Sequence, residues 1–183
     1  MSIKLSHRVQ AVKPSPTLAI TARAAQMRAA GKDIVGLGAG EPDFDTPEHI
    51  KAAAVEALAK GFTKYTAVDG IPSLKKAIID KFKKDNGLDY QPKQVLVSCG
   101  GKQSSYNLTQ ALLNPGDEVI IPAPFWVSYP DMVLLADGVP VIIETTQAQR
   151  FKISPEQLRA AITPKTRLIF INSPSNPSGI AYT

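Results

Sequence analysis

With 183 residues, 44% hydrophobic, 20% charged and 7% aromatic, the chain has the length and composition of one ordinary globular domain, which argues against disorder over most of it. The formal charge is +5, from 21 Lys and Arg against 16 Asp and Glu, a mild field that suits anionic small molecules as well as a nucleic acid. One cysteine, Cys99, excludes an intramolecular disulfide, and two histidines, His7 and His49, argue against a Cys/His zinc site.

Taken in chain order, the start "MSIKLSHRVQAVKPSP" lacks the apolar core of a signal peptide. Nothing downstream approaches the ~18 apolar residues of a membrane span, so a cytoplasmic protein is expected. Residues 1–15 read as an extended arm. Pro14 and Pro16 lead into "TLAITARAAQMRAAG", an alanine-rich helix closed by Gly31 at C′. A short strand is predicted over Ile34–Leu37, then a loop, "GLGAGEPDFDTPEHI". Thr46 and Pro47 form an N-cap and N1 pair for a helix that runs to Lys60 and stops at Gly61. A third helix is predicted over Pro72–Asn86, followed by Gly87. Its Leu74, Ile78 and Phe82 recur every four residues, which puts its lysines on the wet side. No aromatic–basic interleaving supports a nucleic-acid surface.

Four β-like runs follow: "QVLVSC" from 94, "EVIIPA" from 118, "VPVIIE" from 139 and "RLIFIN" from 167. Helical stretches separate them. The last helix opens on a capping box, with Ser154 as N-cap, Pro155 at N1 and Gln157 at N3. The runs are continuously apolar rather than alternating, which suits a parallel sheet covered on both faces. The predicted fold class is α/β, a mostly parallel sheet with helices on both faces.

In such sheets ligands sit beyond the carboxyl ends of the strands. The first run delivers "SCGGKQSSYN", where Gly100 and Gly101 precede a helix start whose free N–H groups favour an anion, most often phosphate. The alternative is a plain strand–helix turn. It is not a P-loop: Leu96 stands where that motif needs glycine, and Gln103 where it needs Ser or Thr. "GLGAGEP" is not a dinucleotide fingerprint, because Glu41 replaces the last glycine. The second run delivers Trp126 at a helix opening, either to stack on a planar ring or to pack as a core aromatic. The fourth delivers "NSPSNPSG", in which Asn172 and Asn176 carry amides and the Pro and Gly pairs also fit a surface turn. Glu144, Thr145 and Thr146 suggest no chemistry. His49 reads as solvated and Cys99 as a small core residue. No Ser/His/Asp order or paired-carboxylate spacing is visible.

In combination, "GEPDFDTPEHI", "KYTAVDGIPSLKKAI", "GGKQ", "NPGDEVIIPAPFWVSYP" and "NSPSNPSG" resemble the class I aminotransferases of the pyridoxal 5'-phosphate (PLP) fold type I superfamily, in its bacterial aspartate aminotransferase branch. The resemblance covers essentially the whole chain. It implies that residues 1–45 are an arm, a helix and part of a small domain, and that 46–183 begin the PLP-binding large domain. It implies cofactor-binding roles for Gly100, Gly101 and Lys102 at the phosphate, for Trp126 on the pyridine ring, and for Asn176 at the ring's phenolic oxygen. Tyr65 would reach the phosphate of the other subunit, so the whole enzyme would be a homodimer. Gly40, Trp126 and Asn176 would border the substrate. The Asn176–Pro177 bond would be cis, a specific expectation because only about 5–6% of X–Pro bonds are cis.

The implied activity is transamination between an L-amino acid, aspartate by resemblance, and a 2-oxo acid, 2-oxoglutarate by resemblance. Aromatic amino acids or prephenate are the alternative substrates. A non-enzymatic PLP-binding regulatory module ranks below both, because no helix-turn-helix precedes the arm. The family's Schiff-base lysine, the carboxylate facing the pyridine nitrogen and the substrate-gripping arginine all lie beyond "NPSG". The family's large domain has seven strands, of which four are expected here. The chain is therefore expected to stop part-way through the enzyme, to hold no catalytic residue of its own and to be inactive alone.

Overall fold

The computed structural model describes residues 3–38 and 40–183; the first two residues of the arm and Ala39 of the glycine-rich loop lie outside them. The chain forms two compact units, one built from the residues up to Arg23 with Lys102–Thr183, the other from Ala24–Gly101.

The first unit holds a parallel sheet of β1 (Glu118–Pro122), β2 (Val139–Ile143) and β3 (Thr166–Ile169), in the order β2-β1-β3. Ile120 pairs with Val141 on one side and Ile169 on the other, and the β1–β3 register shifts between Glu118 and Val119. The continuous apolar run of β1 explains its central place: Val119, Ile120 and Ile121 are 0%, 1% and 0% exposed. Each such side chain contributes about 1.5–3 kcal/mol relative to leaving it in water.

Helices cover this strand. α6 (Ser128–Leu135) buries Met132 and Val133, and Val133 joins Leu113, Val119, Ile121 and Ala136 in one cluster. Gly138 is small for a packing reason: a Cβ there would lie 3.0 Å from Val133 Cγ1 and 3.2 Å from the Asp117 carbonyl. In α5 (Gly101–Leu112) the fully buried Thr109 donates its hydroxyl to the Tyr106 carbonyl at 2.8 Å, with the Met132 carbonyl at 3.4 Å as a second acceptor. α7 (Pro155–Ala161) begins with the expected capping box: Ser154 Oγ accepts from the Gln157 N–H at 3.2 Å, and Gln157 Oε1 accepts from the Ser154 N–H at 2.9 Å.

The arm is not wholly extended. α1 (His7–Ala11) forms within it because Ser6 caps the helix, accepting from the Val9 N–H at 3.4 Å, and Arg8 lies 3.7 Å from Asp137. α2 (Pro16–Ala29) ends as the sequence predicts. Gly31, at φ +78°, donates to Arg28 O, and Lys32 donates to Met27 O.

The second unit contains α3 (Glu48–Ala59), α4 (Pro72–Asn86) and a 3₁₀ turn over Pro92–Gln94. Five expectations are corrected here. Thr46 is not the N-cap of α3; Pro47 occupies that position and no side chain caps the helix. Neither Ile34–Leu37 nor the run from Gln94 is a strand. A strand needs a neighbour, and the Val97 N–H bonds the Asp69 carbonyl at 3.1 Å rather than a ladder partner. Val35, Leu37 and Leu96 are exposed. The sheet among the described residues is therefore the last three of the four expected strands. Cys99 is exposed rather than packed in a core. Lastly, one lysine of α4 is dry. Lys75 is buried and paired with Asp69, whose carboxyl the Lys75 hydrogen bond and charge hold below its ordinary range. The remaining ladder, such as Lys81–Asp85 at 2.7 Å, lies on the wet face.

Candidate functional site

The start of α5 fits an anion chemically. Its first turn carries no acidic side chain. It begins at Gly101, directly after Gly100, which stands at φ +86° and donates to the Ser98 carbonyl at 2.8 Å. Glycine is needed at 100 for the backbone conformation. At 101 it is not, and a Cβ there would meet no atom of the chain within 4 Å.

Lys102 follows, exposed, with its ammonium 4.9 Å from the centroid of the Trp126 ring. That is cation–π range, and among the described residues no carboxylate pairs with this lysine. Trp126 is half-buried in the bend between β1 and α6, two residues before the helix it was expected to open. Its ring meets Tyr129 edge-on at 5.3 Å, and Tyr129 stacks on Phe170 at 4.6 Å. Tyr129 and Phe170 pack on the buried cluster of Leu113, Val119, Ile121, Val133 and Ala136, so the indole leans on an anchored neighbour. Burial pushes the Tyr129 hydroxyl and the Asp131 carboxyl above their ordinary values.

Asn176 follows β3, in an irregular loop. Its N–H donates to Asn172 Oδ1 at 2.8 Å, while its own side-chain amide is exposed and has no partner among the described residues. The Asn176–Pro177 bond is cis, as the resemblance implied, and so are Ala123–Pro124 and Ser173–Pro174. Tyr129, Phe170, Asn172 and Asn176 share a hollow of about 20 Å³. That is room for about one water and too little for a heteroaromatic ring, so any ring must lie outside it.

Within the first unit, then, Lys102 and Trp126 touch, and Tyr129 links Trp126 to the hollow beside Asn176. The other expected residues belong to the second unit. Tyr65 is fully exposed and lines a hollow of about 370 Å³ with Lys60, Phe62 and Lys64. Gly40 is exposed, and a Cβ there would meet nothing within 4 Å. Sequence reasoning missed Tyr129 and Phe170. Tyr129 stands one helical turn after Trp126, a spacing that signals a shared face.

A family model described as aminotransferase class I and II matches residues 32–183. The chain belongs to that family. It is 65% identical over 181 residues to an aspartate/prephenate aminotransferase of Nitrosomonas europaea, covering 99% of this chain and 46% of that protein. It is 57% identical to an aspartate aminotransferase of Geobacillus stearothermophilus, over 99% of this chain and 46% of that protein. The fold agrees. The crystal structure of the aspartate aminotransferase from Rhizobium meliloti superposes with a TM-score of 0.95 at 51% identity, covering all of this chain and 46% of the other. That of Thermus thermophilus with maleate gives 0.92 at 53%, covering 96% and 46%. This class I and II aminotransferase chain thus spans about half the length of the relatives it matches, and its fold is part of fold type I.

The family is PLP-dependent, and the side chains of this chain fit that group. An acid-free helix start and an unpaired lysine suit a phosphate, an indole held edge-on by Tyr129 suits a planar ring, and an amide with no partner among the described residues suits a phenolic oxygen. A ring on the indole face that Lys102 covers requires the ammonium to move aside, which its exposed, flexible stem permits. Among the described residues no helix is long and apolar enough to cross a membrane, and no cluster of His, Cys, Asp and Glu could hold a metal.

Proposed function

We propose that the full-length protein transfers an amino group between L-aspartate and a 2-oxo acid, 2-oxoglutarate in the first instance, and that this chain supplies much of its PLP-holding surface. The observation that carries the proposal is the seating of Lys102 against Trp126 at the acid-free start of α5. When bound, PLP supplies the electron sink that makes the substrate Cα proton acidic. Gly100 shapes the turn at the phosphate, its own N–H committed to the Ser98 carbonyl, and Gly101 and Lys102 would hold the phosphate through backbone N–H groups and one ammonium. Trp126 fixes the plane of its ring. The Asn176 amide donates to its phenolic oxygen and favours the anionic form. Gly40, Trp126 and Asn176 border the substrate, and the missing Cβ at Gly40 leaves it room. The working enzyme is a cytoplasmic homodimer. In it the wholly exposed Tyr65 reaches the phosphate held by the partner protomer.

A second reading extends the acceptors to prephenate, itself a 2-oxo acid. It is favoured by two relatives, at 65% and 63% identity, that are named aspartate/prephenate aminotransferase. One substrate panel on the PLP-loaded, full-length protein tests both. Aspartate with 2-oxoglutarate is expected to turn over, and prephenate to replace 2-oxoglutarate. PLP binding without either turnover would overturn the assignment. Trp126→Ala is expected to weaken PLP affinity by about 2- to 10-fold, the worth of one aromatic stack. An unchanged dissociation constant would remove Trp126 from the site.

A further inference from the structure

The loop that carries Asn176 is tied down at several points by groups with no place in the chemistry above. Asn172 Oδ1 accepts the Asn176 N–H at 2.8 Å. Ser175 donates to the Ile180 carbonyl at 2.9 Å, which folds the loop back on itself. The Tyr182 N–H donates to Ser173 Oγ at 2.9 Å. The Tyr182 hydroxyl accepts the Ile153 N–H at 3.0 Å, and Lys152 lies 5.9 Å above its ring. Tyr182 therefore joins the Asn176 loop to the segment before α7.

That segment is itself strained. Arg150 and Phe151 stand at φ +52° and +53°, a left-handed pair with no glycine in it. The turn is held by the Arg150 N–H on the Gln147 carbonyl at 2.8 Å and the Phe151 N–H on the Thr146 carbonyl at 3.0 Å. Phe151 lines the same small hollow as Tyr182, Asn172 and Asn176. Strain persists where the surroundings over-determine it, and for Phe151 the surroundings include Asn172, Asn176 and Tyr182 across the hollow.

We infer that Tyr182 and Asn172 are positioning residues that fix the backbone of the Asn176 loop and so hold its amide within reach of the cofactor's phenolic oxygen. An amide on an untethered surface loop would have to be ordered on binding; here the loop is ordered beforehand. The inference rests on the proposed role of Asn176.

The test is a pH titration of the visible absorption of PLP bound to the full-length protein. Losing a donor to the phenolic oxygen disfavours its anion and raises the midpoint. Asn176→Ala is expected to raise it by about one unit, and Tyr182→Phe, which keeps the ring in the hollow and loses only the hydroxyl, by about half a unit. In the double variant Tyr182→Phe should add nothing to Asn176→Ala, because its effect runs through that amide. Additive shifts would overturn the inference. So would an unmoved midpoint in Tyr182→Phe beside a shifted one in Asn176→Ala, and that result would leave the role of Asn176 standing. No shift in Asn176→Ala would overturn both. Ser173→Ala, which removes the acceptor of the Tyr182 N–H, carries the same expectation and decides the matter where Tyr182→Phe does not fold.

Discussion

Gly100 and Gly101 are neighbours with different physical reasons for lacking a side chain. At φ +86°, any L-residue at position 100 costs about 1–2 kcal/mol in backbone strain. Gly101 opens α5 without a positive φ, and a Cβ there meets nothing of the chain. In urea unfolding of the cofactor-free protein, Gly100→Ala should therefore lower stability by about 1–2 kcal/mol, and Gly101→Ala should stay within about 0.5 kcal/mol. On the proposed function, Gly101→Ala instead weakens PLP, since its methyl takes space at the helix start where the phosphate would sit. Equal losses of stability at the two positions would show that the turn is governed by packing. Equal PLP affinity in Gly101→Ala and the parent would remove that glycine from the cradle.

Elements were legible where their signals are local. The capping box of α7 is written in four consecutive residues, Ser154 to Gln157, and forms as read. Ser154→Ala is expected to cost about 1 kcal/mol, seen as a lower urea midpoint. Gln157→Ala should cost at least as much, because Gln157 also donates to the Glu144 carbonyl at 3.1 Å and accepts from Gln149 at 2.9 Å. A wild-type midpoint in both variants would mean that the box contributes nothing to holding α7. The glycine stops of α2 and α3 are local in the same way: Gly61 donates to Leu58 and Phe62 to Ala57, repeating the pattern at Gly31. Strands depend on partners elsewhere in the chain. "QVLVSC" and "EVIIPA" look alike as strings, but only the second lies between two ladders. The site divides likewise. The helix start at Gly101 and the exposed amide of Asn176 follow from local rules. The stack of Tyr129 on Phe170 and the bond from Ile153 to Tyr182 join residues distant in sequence, which no local pattern encodes. Lys75 escaped for a related reason: a four-residue stripe assigns it to water, and its Asp69 partner lies before the helix begins.

At the scale of the whole chain, burial is distributed unevenly. Val119, Ile120, Ile121, Val133 and Thr109, all in the first unit, are essentially inaccessible. Among the described residues of Ala24–Gly101, only Lys75 is buried, while Val55, Leu58, Phe62 and Leu96 are each more than 60% exposed. Local opening free energy follows buried apolar contact, so the two units should open independently and at different cost. Amide hydrogen exchange on the 183-residue chain reads this directly. The slowest amides are expected in β1 and its flanks, where Phe170 donates to Ile120 O at 2.9 Å and Ala123 to Ile143 O at 2.9 Å. Amides of α3, whose residues include none that is buried, should exchange through cheap local openings, orders of magnitude faster. Limited proteolysis should cut first within residues 24–101 for the same reason. Uniform protection across both units would mean that the chain opens as one cooperative body, and that the exposed apolar side chains of the second unit are covered by contacts between chains in solution.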